Sequence, residues 1–370
     1  MIYYGKQNIN QDDIDSVIEV LKSDFLTQGP KVPEFEEDLK KYCQAKYSKV
    51  VSNATSALHL AYLAVGLQKG DIAWTSPNTF VSTANAALYC GATVDFVDID
   101  PDTYNISIDC LKEKLVQAKK DNKLPKLVVP VHFAGQSCNM EAIWELSKEY
   151  KFKVVEDASH ALGGTYKGEK IGNCKYSDMS VFSFHPVKMI TTGEGGAVTT
   201  NSKSLDEKVS LLRTHGITKD PSQFISKPHG DWYYEQQSLG YNYRLTEIQA
   251  ALGISQLKRL DSFVVKRREI AEFYLQNLDQ KITPTQLLDT NSSWHLFVVQ
   301  VSDRQKIYQQ LKDSGIQSQV HYIPVNSQPF YNHKTLPNCE MFYQHCLSLP
   351  IYFDLTKEQC EQVVSCINHD

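Results

Sequence analysis

The chain has 370 residues, enough for two or three domain-sized units with substantial cores. Hydrophobic residues make up 42% and charged residues 22%, and the net charge of -5 comes without a Lys/Arg run, which argues against a nucleic-acid partner. The opening MIYYGKQNINQDD lacks the basic and apolar regions of a signal peptide, and no apolar run approaches the ~18 residues of a membrane span, so a cytoplasmic protein is expected. Nine cysteines, an odd number with no C-x-x-C pair, suit reduced buried thiols, and no Cys/His cluster suggests a metal site.

In chain order, residues 11–22 form the first expected helix, with Asn10 as cap and Ile14, Val17, Ile18 and Leu21 as an apolar stripe. A second helix is expected across Glu34–Lys46, with Phe35, Leu39 and Tyr42 on one face. Short apolar strands then alternate with helices. The strands are Lys49–Ser52, Thr93–Asp98, Lys126–Val131, Lys153–Glu156, Met179–Ser183 and Gly196–Thr199; the helices include Ser56–Val65, Val81–Leu88 and Met140–Tyr150. Strands apolar on both faces and separated by helices imply a mostly parallel sheet covered on both sides. A long helical pattern with a break follows over Thr246–Leu278. Strand (Trp294–Val301), helix (Arg304–Ser314), strand (Gln319–Ile323) and helix (Lys357–Ile367) complete the chain. The expected architecture is a large α/β domain over residues 1–250, N-terminal helices included, and a smaller α+β domain over 251–370.

Three segments carry chemistry. KVVEDASHA (153–161) delivers Asp157 and His160 to the C-terminal end of a parallel strand, where α/β proteins place ligand-binding groups, although such residues also serve as plain turn formers. In SDMSVFSFHPVKMITTGEGGAVTTN (177–201), a strand delivers Ser183, and Lys188 follows between the strand end and a Gly-rich loop. Most lysines are solvated, but a desolvated amine loses its proton more readily and becomes a usable nucleophile. In VVSNATSALHL (50–60), Asn53 caps a helix that opens Ala54-Thr55-Ser56, and hydroxyls beside free N–H groups suit a phosphate. A phosphate cup, an acidic anchor and a buried lysine are the parts that pyridoxal 5'-phosphate requires: the lysine forms an imine, and the carboxylate keeps the pyridine nitrogen protonated.

The chain resembles the DegT/StrS-type sugar aminotransferases, which are fold-type-I pyridoxal-phosphate enzymes. The resemblance is carried by Asn53-Ala54-Thr55-Ser56-Ala57-Leu58, Asn78-Thr79-Phe80, Glu156-Asp157-Ala158-Ser159-His160-Ala161, Ser183-Phe184-His185-Pro186-Val187-Lys188, Gly193-Glu194-Gly195-Gly196, Gly240-Tyr241-Asn242-Tyr243-Arg244-Leu245 and Val320-His321-Tyr322-Ile323-Pro324. It runs from about Tyr4 to the last helix. It implies that Lys188 holds the cofactor and moves the proton, that Asp157 pairs with the pyridinium, and that His160 lies near the ring hydroxyl. It further implies that Phe80 stacks on the ring, that Thr55, Ser56 and Ser183 hold the phosphate, and that Asn242 reaches that phosphate from the other subunit of a homodimer. His185, Glu194, His321 and Tyr322 are implied to face the sugar nucleotide.

The wording Phe-His-Pro-Val-Lys before Thr-Thr-Gly-Glu-Gly-Gly is similar to the aminotransferases of pseudaminic acid synthesis. Those imply L-glutamate as donor and UDP-2-acetamido-2,6-dideoxy-beta-L-arabino-hex-4-ulose as acceptor. The gluco-type epimer of a bacillosamine-like pathway, or a non-enzymatic regulator of the same fold, are the competing readings. Trp74 departs from the family, which more often has plain aliphatics there, and is expected to alter local packing and the cleft near Phe80. An amino-acid aminotransferase is disfavoured because no arginine follows Arg304 to clamp an α-carboxylate. A sugar 3-dehydratase is disfavoured because Lys188 is not histidine.

Overall fold

The computed structural model describes residues 1–287, 289–331 and 334–368. Its centre is a seven-stranded sheet of β1 (Tyr47–Val51), β2 (Ile72–Thr75), β3 (Thr93–Phe96), β4 (Leu127–Val129), β5 (Lys153–Asp157), β6 (Met179–Ser183) and β7 (Gly196–Thr200). The spatial order is β1-β7-β6-β5-β4-β2-β3. The five strands from β6 to β3 run parallel, while β7 and β1 are antiparallel to their neighbours. Every residue of β4, β6 and β7 is buried, as expected for strands covered on both faces. Side chains alternate between two layers. Val181 and Val198 join a cluster with helix α3 (Ala54–Ala64), and Phe182 and Ala197 join Phe35 and Leu39 in another.

The expected mostly parallel α/β architecture is found, and three unexpected elements complete it: β2 itself and two helices, Ile108–Lys120 and Lys203–Leu212. Trp74 of β2 is absorbed without disruption. It is 2% exposed, packs with Leu111, Leu115, Val128 and Val154, and has Lys114 Nζ 4.9 Å from its ring centroid.

The first helix, Gln11–Leu21, forms with its Asn10 cap but turns the other way from expectation. Ile14, Ile18 and Leu21 are exposed, whereas Asp13 and Val20 are buried. Asp13 pairs with Arg259 and accepts from Ser255 Oγ at 2.6 Å and Gln256 Nε2 at 2.7 Å. A carboxylate with that many donors is best satisfied inside, so it sets the rotation of the helix.

The long helical pattern is two helices, Glu247–Lys258 and Leu260–Asn277, broken at Arg259. Two further strands, β8 (Phe297–Gln300) and β9 (Cys346–Leu349), pair antiparallel over a separate apolar cluster that includes Ile270, Tyr274 and Leu311, and also Ile2 from the chain start. The strand expected over Gln319–Ile323 is not one. Gln319 makes a single bridge to Ser348, and the Val320 N–H is taken by the Gln319 side chain at 3.0 Å instead of a ladder partner. The extended segment that results carries His321 and Tyr322. All nine cysteines are unpaired.

Candidate active site

The strand ends of β1, β7 and β6 are in register, with Gly196 of β7 opposite both Val51 and Ser183. Helix α3 starts immediately after β1. Asn53 caps it by accepting from Ser56 N at 2.8 Å, and the Ser52 and Ser56 hydroxyls lie 3.2 Å apart. A helix start leaves its first N–H groups open, and the shared register with Gly196 puts this helix start and Ser183 at the same end of the sheet. Gly196 makes this approach possible. A β-carbon there would come 2.6 Å from the Asn53 carbonyl carbon and 2.7 Å from Ala54 N, both backbone atoms that cannot yield cheaply. Gly196→Ala is therefore expected to destabilise the fold by about 1–3 kcal/mol, the usual cost of overpacking, and to weaken phosphate-group binding. Denaturation midpoints and a pyridoxal-phosphate Kd measure the two effects; an unchanged Kd would mean that the helix start is not the cup.

One strand further on, β5 ends in Asp157, which is 4% exposed. Thr83 Oγ1 donates to its Oδ2 at 2.7 Å, and Ser159 Oγ donates to its Oδ1 at 2.6 Å. Because the Thr83 proton goes to Asp157, the Thr79 hydroxyl, 2.8 Å away, donates to Thr83. This chain fixes the carboxylate's orientation. Its neighbour Glu156 points to the opposite face, bonded to His132 Nε2 at 2.7 Å and to Ser180 Oγ at 2.6 Å.

Lys188 sits on a loop that folds back between β6 and β7, closed by Phe184 N to Gly195 O and Thr192 N to Phe184 O. Burial pushes its amine down to about 8; Asp157 opposes that shift and Arg267 adds to it. The Nζ atom lies 3.5 Å from His295 Nε2. Arg267 is itself buried and, among the described residues, donates to the carbonyls of Trp294, His295 and Ile351.

His160 is 5% exposed and packs against His295, with ring centroids 4.4 Å apart and the planes tilted by 48°. The Ala134 N–H donates to its Nδ1 at 3.3 Å, so the proton of the neutral ring is on Nε2, which faces the Tyr322 hydroxyl at 3.0 Å. Burial and the nearby Lys188 hold His160 well below the usual histidine range. His321 is buried as well, with Nδ1 2.8 Å from Ser348 Oγ.

The sequence-expected residues are thus brought together only in part. Asp157, His160, Lys188 and Tyr322 are joined by these contacts and interactions, and Thr55, Ser56 and Ser183 form the corner beside them. Phe80 stands at the edge, 58% exposed, with its ring 6.3 Å from that of Tyr322. His185, Glu194 and Asn242 are exposed, and the Asn242 main chain bridges to Thr214 instead of entering the cluster. Thr83, His295 and Arg267 belong to the site but carry no motif signal: a lone histidine in Trp294–Val301 reads as a core residue of an apolar strand. Among the described residues no set of His, Cys, Asp or Glu is placed to hold a metal, and no helix is long and apolar enough to cross a membrane.

A part-buried amine, a strand-end carboxylate held by two hydroxyls, and an open helix start closely approached by Gly196 fit the donor set that pyridoxal phosphate requires. These define a pyridoxal-phosphate-dependent aminotransferase. The chain belongs to the DegT/DnrJ/EryC1/StrS aminotransferase family, whose model matches residues 7–368. It is 41% identical to the UDP-4-amino-4,6-dideoxy-N-acetyl-beta-L-altrosamine transaminase of Campylobacter jejuni, over 98% of this chain and 96% of the relative. It is 39% identical to the spore coat polysaccharide biosynthesis protein SpsC of Bacillus subtilis, over 98% and 95%. Among solved structures, Helicobacter pylori PseC, an aminotransferase involved in the biosynthesis of pseudaminic acid, superposes with a TM-score of 0.90 at 36% identity, covering 100% of this chain and 98% of that one.

Proposed function

We propose that this aminotransferase moves the amino group of L-glutamate to C4 of a UDP-linked 4-keto-6-deoxy-N-acetylhexosamine, the beta-L-arabino-hex-4-ulose of pseudaminic acid synthesis. The observation that carries the reading is the part-buried Lys188, whose amine desolvation pushes down to about 8, set among Asp157 and a group of uncharged imidazoles. The names of the Campylobacter and Helicobacter relatives support the choice of sugar.

When bound, pyridoxal phosphate supplies a protonated pyridine ring that takes up the electron pair released at the substrate carbon. Asp157 holds the proton at the ring nitrogen, and the Thr83 and Ser159 hydroxyls keep its carboxylate aimed. Lys188 Nζ would remove the proton from the amino-bearing carbon as base and return it as acid to the carbon two bonds away, across the intervening nitrogen. His160 Nε2–H orients the Tyr322 hydroxyl at the ring-hydroxyl side, and Phe80 covers one ring face. Thr55, Ser56 and Ser183 bind the phosphate, and His185, Glu194, His321 and Tyr322 meet the sugar nucleotide. Glutamate and keto sugar use the same site in turn, so kinetics are ping-pong.

The working unit is a homodimer in which a second copy adds its Asn242 to the phosphate corner. The exposed run of Ile14, Ile18, Leu21, Phe25 and Leu26 supports this, since apolar side chains grouped on one segment mark a contact surface. The separate apolar cluster around β8 and β9 supports a division into a cofactor domain, residues 1–250, and a smaller domain, 251–370. Nine unpaired thiols suit a cytoplasmic setting.

The test is competition between the two C5-epimeric UDP-4-keto-6-deoxy-N-acetylhexosamines in the presence of glutamate, with the aminated product identified by mass spectrometry. Selective amination of the altro-type epimer is the expected result. Preference for the gluco-type epimer would move the enzyme to a bacillosamine-like pathway, and amination of neither would remove the sugar assignment.

A further inference from the structure

The Lys188 amine has a hydrogen-bonding neighbour that no motif announces. His295 is 4% exposed, and its Nε2 lies 3.5 Å from Lys188 Nζ. Its other nitrogen, Nδ1, is fully buried with no hydrogen-bond partner among the described residues. A buried N–H left without an acceptor is among the rarest of unsatisfied groups, whereas a bare acceptor is tolerated more often. The ring proton therefore belongs on Nε2, facing the amine. An N–H in that position is satisfied only by the lone pair of an uncharged –NH2, because an ammonium group has donors and no acceptor.

The surroundings hold this arrangement in place. Arg267 donates to the main-chain carbonyl of His295 at 3.1 Å, which anchors its backbone. His160 packs on the ring but has already committed its own Nδ1 to the Ala134 N–H. The groups that act electrostatically on Lys188 are Asp157, which favours its charged form, and Arg267, His160, His185, His295 and His321, which oppose it when charged. Of these, His295 is the one with a nitrogen within hydrogen-bonding range of Nζ.

We propose that His295 is a positioning residue for Lys188: its Nε2–H donates to the free amine and holds it uncharged and in place between its turns as nucleophile and as base. The proposal deepens the function given above and rests on Lys188 being the cofactor lysine.

Two measurements on protein stripped of cofactor test it. In 15N-histidine-labelled protein, the His295 signals, assigned by their loss in His295→Gln, should report a protonated Nε2 and a bare Nδ1; the opposite tautomer overturns the proposal. Reductive methylation of Lys188, read by peptide mass spectrometry across pH, should give a midpoint near 8 in the unmodified protein. In His295→Phe that midpoint should rise by about one unit, leaving roughly tenfold less uncharged amine near neutral pH. His295→Gln, whose side-chain N–H can replace the donor, should stay close to the unmodified value. A midpoint that is unmoved or lowered in His295→Phe overturns the proposal, and should that variant fail to fold, the tautomer of the unmodified protein decides alone. If Lys188 is not the cofactor lysine, the failure looks different: the unmodified protein carries no cofactor on Lys188 after borohydride reduction.

Discussion

Replacing Lys188 with alanine is expected to abolish covalent attachment of the cofactor and to remove amine transfer. Two functions disappear with one atom. The imine-forming nucleophile is lost, and so is the proton carrier, which alone is worth about 10²–10⁴-fold in rate. No neighbouring group can substitute. Burial, which the substitution leaves in place, is the main cause that holds His160, His295 and His321 below the ordinary histidine range, and an imidazole forms no stable imine with an aldehyde. The check is borohydride reduction of the loaded protein followed by peptide mapping, together with a sugar-amination assay. An adduct that survives in Lys188→Ala would point to another amine. Lys6, which lines the same cavity as the Lys188 loop, would be the first to examine.

Replacing Asp157 with asparagine is expected to leave folding and cofactor retention nearly intact while lowering turnover by about two to three orders of magnitude, the usual size for one preorganised electrostatic contact. The substitution keeps the shape of the side chain. The Thr83 and Ser159 hydroxyls can rotate to accept from its new N–H₂ group or donate to its remaining oxygen, so no buried group is stranded. What is lost is the negative charge that keeps the ring nitrogen protonated. Equilibrium dialysis of the cofactor and steady-state turnover separate the two effects. Near-normal turnover would mean that another acid serves the ring, yet adjacent Glu156 is already engaged by His132, Ser177 and Ser180 on the other face of the sheet. Two acidic residues side by side are ambiguous in a sequence. The alternation of side chains along β5 resolves them once the strand's faces are known.

Much of the large domain was legible because its signals are local. Apolar strands such as Met179–Ser183 announce themselves by composition, and Asn10 and Asn53 announce helix starts by cap chemistry. The positions proposed for the cofactor lysine, acid and phosphate hydroxyls share a related signal: each lies within a few residues of a strand end, so chain order already places it at the rim of the sheet. The strand Ile72–Thr75 has a weak sequence signature because four residues carry little periodicity, although it lies inside the parallel run between β4 and β3. The helix Ile108–Lys120 carries a local signal in its apolar positions Leu111, Leu115 and Ala118 and its Ser107 cap.

The amino-acid sequence by itself determined the order of strands and helices, the family, and the residue types available for chemistry, because propensity, caps and motifs depend on neighbours along the chain. Only the tertiary structure decided three further matters. It turned the first helix so that Asp13 is buried against Arg259 while Ile14, Ile18 and Leu21 face outward, since a carboxylate's donors come from a helix more than 240 positions away. It withdrew Gln319–Ile323 from any sheet and brought Tyr322 to His160. It also set His295 against Lys188 across a separation of 107 residues. Burial and long-range hydrogen bonding are properties of the packed molecule, and the chemistry of this amine depends on both.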